Sequence, residues 1–81
     1  MKRVPIAEAK RIAKRLGMSQ IVMIMAEEDG RQHVVTWGKR YFECVAAADG
    51  GNWIKKHLLQ WPLHLCHAKP ARQLKHEAGV I

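Results

Sequence analysis

Two strand-forming runs joined by an Asp-Gly turn, with a helical pattern directly behind them, constrain this chain more than any other feature. Gln20-Ile21-Val22-Met23-Ile24-Met25-Ala26 is rich in β-branched and long apolar residues, and Gln32-His33-Val34-Val35-Thr36-Trp37 follows after Asp29-Gly30. That dipeptide between two such runs is a strong short-range hairpin signal. Residues 27–31 form the connection, and Glu27, Glu28 and Asp29 place an acidic cluster at its tip. Gly38 ends the second strand. From Tyr41 to Leu59 the apolar period becomes helical, with Cys44, Ala47, Ala48, Gly51, Ile54 and Leu58 on one face. Most of that face is small, which lets a helix backbone come close to the hairpin. Gly50-Gly51 costs about 1 kcal/mol per glycine relative to alanine in mid-helix. Close packing at Gly51 accounts for that cost. The alternative is a break at Gly50 with Asn52 capping a second helix.

A first helix precedes the hairpin. Ile6, Ala9, Ile12, Ala13 and Leu16 recur at three- and four-residue steps, Pro5 fits the first helical position, and Gly17 is a natural left-handed stop. Behind the hairpin, Trp61-Pro62 stops the long helix, because the residue before proline avoids the helical well. Residues 62–67 can restart as one short turn, and 71–81 read as a flexible tail. The fold expected is α+β: a small helix–β-hairpin–helix (αββα) domain over 1–70, with a short C-terminal helical turn and a loose tail over 71–81.

Two helices readily cover one face of a two-stranded sheet, yet the first strand is apolar on both. The hairpin is therefore expected to keep an uncovered surface. Self-association through the hairpin, giving a homodimer, is favoured over a strict monomer.

With 81 residues the chain makes one domain. No apolar run has the length of a membrane span, and the start of the chain lacks the apolar core of a signal peptide. A cytoplasmic location is expected, with Cys44 and Cys66 as free thiols. The formal net charge of +7 favours an anionic partner. Lys10, Arg11, Lys14 and Arg15 concentrate charge on the first helix together with Lys2 and Arg3. Arg31, Lys39 and Arg40, and Lys55 and Lys56, extend the set. Such residues bind phosphates by counterion release, or they form a solvated helix face. No groove-reading motif accompanies them, so sequence-specific nucleic-acid readout is not expected. Trp53 lies off the small-residue face and is the best surface anchor of the three tryptophans; Trp37 and Trp61 read as core.

Chemistry fares less well. His64, Cys66 and His67 crowd together but lack the paired spacing of a zinc site. Cys44 and His57 stand thirteen residues apart, about 20 Å along a continuous helix, too far for a nucleophile and its base. Glu43 and Asp49 are isolated carboxylates, and His33 alone could serve as a general base. No glycine-rich phosphate loop is present. Neither a cofactor nor an enzymatic activity is expected.

The pattern His33-Val34-Val35-Thr36-Trp37-Gly38, Cys44, Ala46-Ala47, Gly50-Gly51-Asn52-Trp53-Ile54-Lys55-Lys56 and Trp61-Pro62 resembles a family of small, mostly uncharacterised proteins encoded by phages and prophages. The resemblance covers about residues 4–70. Members usually carry Gly before the Trp-Pro pair, where this chain has Gln60, so its helix end is expected to differ. The resemblance implies an accessory role inside a bacterial host: binding a host protein or nucleoprotein complex, by analogy with anti-CRISPR inhibitors. Non-specific nucleic-acid binding through the basic helix face is the alternative.

Overall fold

A computed structural model describes residues 5–79. Lys2, Arg3 and the last two residues of the chain lie outside the described residues. The element order is α1 (Ile6–Leu16), β1 (Gln20–Ala26), β2 (Gln32–Gly38), α2 (Tyr41–His57), a 3-10 turn (Leu63–Leu65) and α3 (Ala71–Glu77). This is the α+β helix–hairpin–helix arrangement, closed by a third short helix.

The Asp-Gly turn forms as its residues dictate. The N–H of Gly30 donates to the Glu27 carbonyl at 2.9 Å with φ at 92°, and Asp29 Oδ1 accepts from the Arg31 N–H at 3.0 Å. A side-chain acceptor two residues back and a left-handed glycine are the two devices such turns use. The strands then pair antiparallel, Ile21 opposite Trp37, Met23 opposite Val35 and Met25 opposite His33. Lys39 N–H donates to the Ser19 carbonyl at 2.9 Å and Glu27 N–H to the Arg31 carbonyl at 2.7 Å. Both bonds belong to opposing pairs of odd-numbered residues. Because bonded and non-bonded pairs alternate in an antiparallel ladder, the odd residues bond across the hairpin. The N–H and C=O groups of the even residues point outward from both edges.

Each helix takes one face of this ribbon. Gly51 on α2 lies against Thr36 and Val34: a Cβ there would meet the Thr36 methyl at 2.8 Å and the Val34 methyl at 3.4 Å. Gly50 faces Val22. The glycine pair therefore sits in one unbroken helix, and of the two it is Gly51 that serves close approach. Asn52 caps no second helix. Its side chain instead donates to the Ala68 carbonyl at 2.9 Å and accepts from the Ala68 N–H at 3.1 Å, tying the C-terminal segment to α2. The opposite face carries Ile21, Met23, Met25, His33, Val35 and Trp37. None of these is exposed, and α1 lies against both strands there without touching α2. Ala9 and Ala13, at 0% exposure, are the residues that make this contact possible.

The expected uncovered hairpin face is thus corrected. The sheet is narrow enough for one helix per face, which leaves its edges open. The reading of 71–81 as a loose tail is also corrected over residues 71–77. Ala71–Glu77 is helical, and Arg72 Nη1 donates to the carbonyls of Gly38 (3.5 Å) and Lys39 (3.1 Å). The rings of Tyr41 and His76 stack at 4.4 Å, and Lys69 bridges to Glu77 at 3.0 Å.

Both helix ends follow their sequence. After α1, the N–H groups of Gly17 and Met18 return to the carbonyls of Lys14 and Ala13, with Gly17 at φ 71°, a Schellman pair. After α2, Gln60 takes φ 56°, the only non-glycine at positive φ among the described residues. The chain doubles back there, and the Trp61 N–H donates to the Lys55 carbonyl at 2.9 Å. A glutamine in that conformation costs about 1 kcal/mol. Gln60→Gly is expected to raise stability by roughly 0.5–1 kcal/mol and the midpoint by a few degrees in thermal unfolding.

The interior is built from small residues. Among the described residues, Ala9, Ala13, Val35, Ala47, Ala48 and Cys66 are its buried apolar members, and no large side chain is fully enclosed.

Candidate functional site: a basic and apolar surface at one end of the hairpin

The end of the molecule where α1 enters β1 and β2 enters α2 brings together residues far apart in sequence. The Gly17 turn sets the C-terminus of α1 beside the end of β2. Lys14, Met18, Ser19, Trp37, Lys39 and Arg40 consequently line one concavity of about 270 Å3. Two of the basic groups noted in the sequence, Lys14 from α1 and Lys39-Arg40 from the β2–α2 corner, therefore form a single surface. Exposed apolar residues adjoin it: Met18 lines the concavity, and Leu16 and Phe42 stand next to its lining residues in sequence or within two positions, at 54%, 58% and 63% exposure respectively. The Arg40 guanidinium stands 5.3 Å from the centre of the Phe42 ring, a cation–π pair.

Glu43 organises this corner. It is buried, although the sequence presents it as an isolated carboxylate. It occupies the third position of α2, where a glutamate commonly reaches back to the capping residue. Arg40 Nε donates to its Oε1 at 2.6 Å. The Arg40 guanidinium first and then the Ser19 hydroxyl hold the Glu43 carboxyl below its usual range, against burial, which pushes the other way; the Arg40 backbone N–H adds a smaller pull downward. The same pair raises Arg40.

Glu43 therefore ties α1's exit, through Ser19, to the start of α2. Its folded pKa lies below its unfolded value, so its contribution to stability is present above the unfolded pKa. That contribution is lost as pH falls from the ordinary carboxylate range through the lowered folded value. Glu43→Gln is expected to flatten this part of the stability–pH profile measured by denaturant unfolding. A mutant profile as steep as the wild type would contradict the assignment.

The remaining candidates are dispersed. Arg11 pairs with Glu8, and Arg31 Nε with Asp29 Oδ2 at 3.1 Å, both at the surface. Among the described residues, Lys10, Lys14, Arg15, Lys39, Lys55 and Lys56 have no carboxylate within 4.0 Å. Lys10 and Arg15 are exposed on α1, and Lys56 is exposed near the far end of α2. Lys55 lies 5.8 Å from the Trp61 ring centre, away from the Lys14 corner. Trp53 is 56% exposed and stacks with His57 at 4.7 Å. Trp37 and Trp61 are half-buried rather than enclosed, and the Trp61 indole N–H donates to Gln32 Oε1 at 2.8 Å.

His33 contacts Glu27 at 2.9 Å across the mouth of the hairpin. The buried Cys66 thiol faces the carbonyls of Trp61 and Pro62 at 3.7 and 3.5 Å. Cys44 and His57 sit on the unbroken α2. Among the described residues no three His, Cys, Asp or Glu side chains converge as a metal ion would require.

Sequence reasoning missed Glu43 and Arg72. A Glu three residues after the helix cap was a usable signal for the first. Nothing local points Arg72 at the end of β2.

Comparison with protein-family models, with characterised proteins and with solved structures returns no match. Among the described residues, no helix is long and apolar enough to cross a membrane.

Proposed function

We propose that this chain is a phage-type accessory protein acting in the bacterial cytoplasm by stoichiometric binding to a host macromolecular complex, in the manner of an anti-defence inhibitor and without turnover. The observation that carries this reading is the Lys14–Lys39–Arg40 corner with Leu16, Met18 and Phe42 exposed beside it. Cations give long-range attraction to an acidic surface, and exposed apolar side chains supply the area that holds a docked partner. A core of alanines supports the same reading, because much of the large apolar surface is left outside. The contact surface is this corner, in place of a hairpin face. Self-association through the hairpin belongs at the β1 edge, since both faces carry helices.

Affinity capture from bacterial lysate, repeated after nuclease treatment, tests the proposal. A defined protein complex that survives nuclease is expected. The unpaired lysines also suit the second reading, non-specific nucleic-acid binding. Titration with duplex and single-stranded nucleic acid at two salt concentrations separates the two. Binding that falls steeply with salt, together with capture abolished by nuclease, favours the second.

A further inference from the structure

A groove of about 860 Å3 runs along the edge of β2 that β1 leaves free. Its floor is Val34-Val35-Thr36. Ile6 at the start of α1 lines one side, Asn52 and Lys55 of α2 with the Ala68-Lys69-Pro70 segment tied to Asn52 line the other, and Trp61 lines it too. The even residues of β2 direct their N–H and C=O groups into it, by the alternation of the ladder. The two ends of this edge are already engaged. Arg72 donates to the Gly38 carbonyl, and Trp61 holds the Gln32 side chain. Between them, among the described residues, the backbone groups of Val34 and Thr36 make no backbone hydrogen bond to any other part of the chain.

We propose that this groove takes an extended segment of a partner protein as an added antiparallel or parallel strand, with an acidic side chain of that segment set against Lys55. Three features select this occupant. An unpaired strand edge offers a repeating set of donors and acceptors that only another strand satisfies in register. Helices α1 and α2 both lie against β2, so the open edge runs between a helix on either face, a width that suits one extended chain. Lys55 lies beside the Trp61 ring and, among the described residues, has no carboxylate within 4.0 Å, so it offers the groove an unanswered positive charge. The open stretch corresponds to a segment of about four or five residues, roughly 15 Å long. This surface is separate from the Lys14–Lys39 corner, so its failure leaves the docking proposal standing.

Selection from a randomised seven-residue peptide library against the purified protein tests the inference. The enriched peptides are expected to alternate apolar residues with Asp or Glu. In backbone amide spectra they should shift Val34 and Thr36 and slow their hydrogen exchange, while Val22 and Ile24, on the other edge, stay unchanged. N-methylating one alternate set of peptide amides should weaken binding at least tenfold, and the other set should be tolerated. Lys55→Glu should shift the selected charge from acidic to basic. No enrichment, shifts confined to other surfaces, or equal binding by both N-methylated sets would each overturn the proposal.

Discussion

Gly38→Ala is expected to cost about 3 kcal/mol or more, a large share of the stability of so small a domain. The strand that ends at Gly38 runs directly onto the first turn of α2. A Cβ at this position would lie well inside 3.0 Å of the Cys44 backbone nitrogen and Cα and the Glu43 carbonyl carbon. All three are backbone atoms, so no rotamer change relieves the clash. Relief requires α2 to move away from β2, and with it the Glu43–Arg40 and Glu43–Ser19 bonds and the Arg72 bonds to the Gly38 and Lys39 carbonyls. Overpacking against side chains typically costs 1–3 kcal/mol, and an immovable obstacle places this case at or above the upper end. A domain of this size has on the order of 4–12 kcal/mol in total. Gly50→Ala is the internal control. A Cβ there meets only the Val22 side chain, at 3.8 Å, an ordinary contact. It should gain up to about 1 kcal/mol from helix propensity. Urea unfolding of the two variants should therefore move in opposite directions. A Gly38→Ala protein as stable as the wild type would mean that β2 and α2 do not meet as described.

The second large effect concerns binding. Lys14→Glu combined with Lys39→Glu is expected to weaken capture of the partner complex at least tenfold, about 1.4 kcal/mol. Both lysines line the same concavity, both lack an acidic neighbour, and reversal changes the local charge by four units. Both are exposed, and surface substitutions of this kind usually alter stability by less than about 0.5 kcal/mol. Loss of capture with an unchanged unfolding midpoint would therefore report on the surface alone. Reversing Lys56, which is exposed near the far end of α2, should have a smaller effect, through general electrostatics that added salt removes. Arg40 is unsuited to this test because it also holds Glu43. Capture that survives the double reversal would move the contact elsewhere.

The strands, the Asp29-Gly30 turn and the onset of α2 were legible because each has a local cause: alternation, a left-handed glycine and a change of period. Gly51 was legible as a close approach because a glycine on an otherwise apolar helix face needs a packing reason. The placement of α1 was not. Val22, Ile24, Met23 and Met25 make β1 apolar on both sides, so the pattern could not say which face α1 would take. It is the short Ser19 corner and the two fully buried alanines that seat it opposite α2. Helix α3 was hidden by its polar composition, since it is held by Arg72, the Tyr41–His76 stack and the Lys69–Glu77 bridge rather than by an apolar stripe. The candidate site was half legible. Lys14, Lys39 and Arg40 stood out by charge, but their convergence depends on the path of the chain through Gly17. Lys55 looked like one more solvated cation until the fold set it beside Trp61 in the lining of the β2 groove.

The proposal rests on docking in fixed proportion, and the most direct measurement is the mass and composition of the complex captured from nuclease-treated lysate, determined by native mass spectrometry. A discrete protein assembly carrying a whole number of copies of this chain, lost on reversal of Lys14 and Lys39, is the predicted result. Recovery of the chain alone after nuclease treatment, or bound only to heterogeneous nucleic acid, would contradict it.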